Sequence, residues 1–268
     1  MSQRGFTLIE MAMVFVLVGL MVGGALFALA PVLDKTRINQ TNATLDQVES
    51  SLELFAVRFQ RLPCPADGTL TSASGNYGLE QPAGGASSCT ITGANAVIPW
   101  RTLGLDEAYS IDGWATRLSY WPSGPGTIAS TTTVTTGTVF NHSGNTGWPT
   151  APFLTVTDAV SGKAITPPVP PATGSNNDQA AYVLVSHGKT RWYGYNKNGG
   201  QLPATLAGTY KACNSNPVTC SLSANSFVSG GPVGAYPPGS TKYFDDIVRW
   251  RSPAMIIQLC GSGSCGNG

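Results

Sequence analysis

The chain has 268 residues and a formal net charge of +1, and only 11% of its residues are charged. Soluble domains usually carry roughly 25%, and a nucleic-acid surface is strongly basic, so this balance gives no case for nucleic acid as a partner. With 32 Gly and 19 Pro, the composition points to a loop-rich, extracytoplasmic β domain rather than a cytoplasmic enzyme.

The chain opens with Arg4-Gly5-Phe6-Thr7-Leu8-Ile9-Glu10. It then runs uncharged for 23 residues, Met11 to Leu33. Roughly 20 apolar residues cross a hydrocarbon core. The run is apolar all round rather than on one stripe, which suits lipid. Glu10 sits at its start. A lone carboxylate at bilayer depth costs roughly 2.5–3.5 kcal/mol and requires a partner. No Lys or Arg follows within the run, which leaves a headgroup, the chain's own N-terminus or another molecule. A secretory signal peptide would have a shorter apolar core and a small-x-small cleavage site. Gly23-Gly24-Ala25 and Ala28-Leu29-Ala30 come nearest to such a site. Gly19-x-x-x-Gly23 offers close helix–helix approach, and Pro31 is expected to kink the helix.

This segment resembles the class III leader of type IV prepilins and type II secretion pseudopilins. The resemblance implies cleavage by prepilin peptidase between Gly5 and Phe6, followed by N-methylation of Phe6. It implies that Glu10 pairs with the N-terminal amine of a neighbouring subunit during filament assembly. The implied partners are other pilin or pseudopilin subunits, the peptidase, an inner-membrane assembly platform and the membrane itself. The implied location is the inner membrane, single pass with the head in the periplasm, and then a periplasmic or extracellular filament. Arg4 before the run and Lys35 and Arg37 after it leave the positive-inside rule equivocal.

Leu45, Val48, Leu52, Phe55, Phe59 and Leu62 alternate steps of three and four, one apolar seam on an amphipathic helix that Pro63 ends. A helix over 6–61 would be about 84 Å long at ~1.5 Å per residue. By periodicity alone the seam fits a coiled-coil dimer. The resemblance implies instead that it packs on the chain's own sheet.

Six cysteines follow the apolar run: Cys64, Cys89, Cys213, Cys220, Cys260 and Cys265. No CxxC pair occurs and there are two histidines, which argues against zinc and for disulfides. Short separations close most easily, which favours Cys64–Cys89, Cys213–Cys220 and Cys260–Cys265.

Residues 69–93 read as irregular. Asp112-Gly113 turns into a strand over 112–121, and residues 131–140, 153–157, 180–188 and 245–250 read as further strands. Pro167 to Pro171 reads as an extended spacer, and 198–239 as surface loops stapled by Cys213–Cys220. Ser252-Pro253 looks like the start of a short helix over 254–259. Leu62-Pro63-Cys64-Pro65, Leu103-Gly104-Leu105, Asp112-Gly113-Trp114 and Val183-Leu184-Val185-Ser186-His187-Gly188 resemble a pseudopilin-like subgroup.

Ser186 and His187 invite a hydrolase reading, but neighbours on a strand point to opposite faces and no Gly-x-Ser-x-Gly elbow occurs. Asp245-Asp246 fall short of the six to eight oxygens that calcium takes. The expectation is therefore no enzyme, no catalytic residues, no metal and no cofactor.

The fold class expected is α+β and pilin-like, a long N-terminal helix packed on an antiparallel sheet with disulfide-stapled loops. Its parts are a leader (1–5), a transmembrane and filament-core half-helix (6–33), an amphipathic half-helix (34–62) and a β-rich head (63–268). The function expected is that of a structural subunit of a type IV pilus or type II secretion filament. The alternative is a minor, tip-located pilin acting as adhesin or assembly initiator.

Overall fold

The computed structural model describes residues 7–59, 61–83, 89–91, 93–122, 154–166, 180–203, 210–217, 220, 226–230, 240, 243–252, 255–256 and 259; within the first helix the side chains of 22 and 24–30 are excluded. The expected cleavage bond, the strand over 131–140, the proline spacer and Cys260–Cys265 lie outside the described residues.

Helix α1 spans Leu8–Phe59, 52 residues, or about 78 Å at ~1.5 Å per residue, and runs through Pro31. Its second half is the docked half. Leu45, Val48, Leu52 and Phe55 are buried as their spacing predicts, together with Ala56. Phe59 departs from that seam. It is 49% exposed and lies beside Phe55, with ring centroids 4.5 Å apart. Leu62 is buried, but beyond the helix end.

Five short strands form an antiparallel sheet in the order β1 (Ala66–Asp67), β2 (Ala96–Val97), β3 (Ser119–Pro122), β5 (Tyr182–Ser186) and β7 (Ile247–Arg251). Strand β5 lies between β3 and β7, pairing Trp121↔Val183 with β3 and Val183↔Trp250 with β7. All five β5 residues are buried, because both faces of the strand are covered. Tyr182 and Leu184 pack with Tyr120 against Leu45, Val48, Leu52 and Ala56 of α1. Val183 and Val185 pack the other way, with Trp121, Val156 and Phe227. This is why β5 reads as a continuous apolar run rather than an alternating one.

The second cover is a departure from expectation. Strand β4 (Thr155–Asp158) pairs in parallel with β6 (Ser226–Ser229), Val156 opposite Phe227. The main sheet is antiparallel as expected, and this parallel pair forms a third layer. Residues 198–239 are likewise not surface loops throughout. They contain β6 and helix α2 (Tyr210–Ser215), whose Lys211, Cys213 and Asn214 are buried. The strand predicted over 112–121 is confined to β3. Asp112 Oδ1 accepts the N–H groups of Trp114 and Thr116, both at 2.9 Å, and this local Asx turn outcompetes a ladder.

The helix end is tied down three ways. Arg61 donates twice to Glu80, both at 2.8 Å. Glu80 also accepts Cys64 N–H at 3.0 Å. Cys64–Cys89 closes the segment that follows, and Cys213–Cys220 closes the end of α2. Along its docked half, α1 presents Asp46, Glu49 and Glu53 to Arg249 and Arg251 of β7. Arg249 lies 3.5 Å from Asp46, and Arg251 lies 2.9 Å from Glu49 and 3.2 Å from Glu53. Helix steps of three and four meet alternate strand residues, so one face of each element carries the zipper.

Candidate functional site

The N-terminal end of α1 carries a capping box. Thr7 stands at the cap. Its backbone N–H and its hydroxyl donate to Glu10 Oε2 at 2.8 and 2.9 Å. Glu10 N–H returns to Thr7 O at 3.1 Å. The Thr-x-x-Glu spacing produces this directly, because residues three apart face each other across the first turn. One carboxylate oxygen is thus engaged locally. Among the described residues, none donates to Oε1.

From Leu8 to Met21 the helix surface is apolar and open. Leu8 is 90% exposed, Phe15 68% and Met21 75%. Ile9, Ala12, Met13, Val16 and Leu17 line a shallow apolar groove along it. Burying such side chains is worth roughly 1.5–3 kcal/mol each, so this half of α1 is the part of the molecule that calls for cover. Among the described residues, no helix is long and apolar enough to cross a membrane. Val22 and residues 24–30, the middle of the uncharged run, are not among the side chains described.

Ser186 and His187 fall on opposite sides, as their adjacency predicts. Ser186 Oγ donates to Asp112 Oδ2 at 2.6 Å. His187 Nε2 meets Ser119 Oγ at 2.8 Å, a pairing across the sheet that sequence adjacency could not reveal. Ser119 and His187 are both buried, and His187 Nδ1 has no partner among the described residues. A nucleophile–base pair with no orienting group on the second nitrogen and no open face is a packing pair. Burial, with the nearby Lys211 charge, lowers the His187 pKa to about 3, against the opposing pull of Asp245.

That depression has a sign. Unfolded, the imidazole takes a proton near pH 6.5; folded, it does not until about pH 3. Its contribution is therefore intact above about 6.5 and is lost as pH falls towards 3, at roughly 1.4 kcal/mol per unit. The melting temperature of the chain is expected to fall more steeply from pH 6.5 to 4.5 than that of His187→Gln. Parallel curves would show that His187 titrates freely.

Asp245 and Asp246 meet no metal-like cluster. Lys211 Nζ occupies the place a cation would take, touching Asp245 Oδ1 and Asp246 Oδ1 and donating to His187 O at 2.9 Å. Asp246 Oδ2 also accepts from Asn214 at 3.0 Å, and Asp245 Oδ2 accepts Thr190 N–H at 2.7 Å. An ammonium has three donors, and three acceptors surround this one. No group of His, Cys, Asp and Glu able to hold a metal ion occurs among the described residues. Spacing along the chain offers no hint of Lys211, which lies 34 and 35 residues before its partners.

Comparison with known proteins agrees with the N-terminal reading. Residues 1–26 match the family model for the prokaryotic N-terminal methylation motif, the class III leader found on type IV pilins and pseudopilins. No curated protein and no solved structure matches the chain.

Proposed function

From the N-terminal methylation motif that this chain carries over residues 1–26, we propose that the protein is a structural subunit, pilin or pseudopilin, of a type IV pilus or type II secretion filament. Prepilin peptidase cleaves Gly5–Phe6 and methylates the freed amine of Phe6. The uncharged run holds the subunit in the inner membrane with the head outside. Assembly then exchanges lipid around α1 for the α1 helices of neighbours.

The observation that supports this most is the division of α1. Leu45, Val48 and Leu52 are buried in the head, while Leu8 to Met21 lies bare. An apolar surface of that length needs a lipid or helical environment. Charge-free apolar packing between identical rods gives no register by itself, and Glu10 supplies the polar contact that does.

Intact mass spectrometry of protein purified from its host is expected to show a chain beginning at N-methylated Phe6. Gly5→Leu is expected to leave a precursor longer by the leader. A mature chain starting elsewhere, or Gly5→Leu processed normally, would overturn the processing scheme.

A further inference from the structure

The head first meets α1 just past the uncharged run, and the contact is made by two turns. Lys189 Nζ donates to Asp34 Oδ2 at 2.6 Å. Gly113 N–H donates to Thr41 Oγ1 at 3.0 Å. The backbone at Gly113 is so close to the helix that a Cβ there would lie 2.5 Å from Arg37 O. The turns 112–116 and 187–194 are also bolted to each other. Arg191 Nε donates to Thr116 Oγ1 at 3.0 Å, and its Nη2 to Ala115 O at 3.4 Å. Ala115, Arg191 and Tyr193, the non-glycine residues with left-handed φ among those described, all belong to this collar. L residues rarely adopt that conformation, so the collar holds a defined shape against a local preference.

Its chemistry is distinctive in a chain with so few charges. Lys35 and Arg37 are exposed on the helix, the Lys189 side chain is 64% exposed, and Arg191 is half-buried in the 187–194 turn. Trp192 and Tyr193 are half-buried in the same turn. Against these four cations stand Asp34, which Lys189 already pairs; Asp112, in the other turn, buried beneath Ser186; and Asp245, buried under Thr190 and already paired by Lys211. Lys, Arg, Trp and Tyr together are the composition of a membrane interface.

The position matches. Leu33 is the last residue of the uncharged run. From Leu33 to Arg37 the helix rises about 6 Å at ~1.5 Å per residue. A headgroup layer is roughly 5–7 Å thick on each side of the hydrocarbon. Wherever the run fills the hydrocarbon, residues 34–37 and the Lys189 contact lie level with the phosphates, and the Gly113–Thr41 contact lies about 6 Å further out.

We propose that this collar is a docking surface for anionic phospholipid headgroups. It seats the head against the outer face of the bilayer before the subunit enters a filament. Lys35, Arg37 and Lys189 bind phosphate, Trp192 and Tyr193 settle at the interface, and the rigid turns keep the head from swinging about α1. This rests on the membrane reading of the uncharged run.

The test uses the full-length chain in lipid nanodiscs of phosphatidylcholine alone, or with a third of the lipid replaced by phosphatidylglycerol. Hydrogen exchange of the amides in 112–116 and 187–194 is the readout. Protection is expected to rise in the anionic discs and to fall by roughly fivefold for each charge removed in Lys35→Gln/Arg37→Gln. Both side chains are exposed, so this variant leaves the head fold intact. Equal exchange in the two discs, or no response to the double variant, would overturn the proposal while leaving insertion standing. A chain that fails to co-elute with discs of either kind would overturn the membrane reading, and the docking surface with it.

Discussion

Lys211→Met is expected to destabilise the head by about 3–5 kcal/mol, the loss seen when one partner of a buried ion pair is removed. That is a large part of the 5–15 kcal/mol that typically holds a domain folded. Methionine fills much the same volume, so lost packing is the smaller part of the effect. The larger part is electrostatic. Asp245 and Asp246 are each 4% exposed, and without the ammonium two carboxylates would share a site that water does not reach. Burial and a like-charged neighbour both favour the neutral form of a carboxylic acid. Because the folded form would bind protons more readily, the penalty is full at neutral pH and shrinks as pH falls towards 4. Urea unfolding of the chain and of Lys211→Met at pH 7.5 and 5 measures this. The gap between them is expected to narrow at the lower pH, and Asp245→Asn/Asp246→Asn added to Lys211→Met is expected to restore part of the loss. A gap that ignores pH would mean that the lysine acts through packing alone.

The same cluster shows where sequence reading stops. Helix α1 was legible because its information is local: an uncharged run, then an apolar seam at helical spacing, then Pro63. Cys64–Cys89 and Cys213–Cys220 followed from short loop closure, and β5 from its apolar run. Lys211 was hidden for the opposite reason. It lies in a stretch rich in Gly, Pro and Ser, and nothing within several residues of it is charged. Only the fold brings α2 against the start of β7, so only the fold converts an isolated lysine into a counter-ion. The parallel pairing of β4 with β6 is hidden in the same way, since two four-residue strands far apart carry no register in their own patterns. Asp112 failed differently. The Asp-Gly turn was recognised, but its side chain holds the backbone of Trp114 and Thr116 and delays the strand to Ser119. Of the candidate site, the Thr7–Glu10 cap was implicit in the Thr-x-x-Glu spacing, whereas the pairing of Ser119 with His187 needed the sheet.

Glu10→Ala is expected to leave insertion and processing intact and to reduce incorporation into filaments by about a hundredfold. The argument compares two environments for one carboxylate. In the bilayer of the proposed pathway, Glu10 would raise the free energy of the subunit by roughly 2.5–3.5 kcal/mol. In the proposed filament, the amine that cleavage would expose at Phe6 of a neighbour would neutralise it. The acid therefore favours transfer from membrane to filament by up to that amount, about two decades in an equilibrium constant at 1.4 kcal/mol per decade. Alanine removes the penalty and the pairing together, so the variant rests more comfortably in lipid and gains less on leaving it. Glu10 also caps α1 through Thr7, and losing a cap costs about 1 kcal/mol. Thr7→Ala separates the two effects, since it removes the threonine cap and keeps the acid. It is expected to assemble within a few-fold of normal, while Glu10→Gln, which keeps a hydrogen-bonding side chain without the charge, is expected to fail like alanine. Quantitative immunoblots of sheared filaments against membrane fractions read all three. Normal filaments from Glu10→Ala would remove the charge pair as the basis of assembly. Equal failure of Thr7→Ala would reassign Glu10 to shaping the helix end.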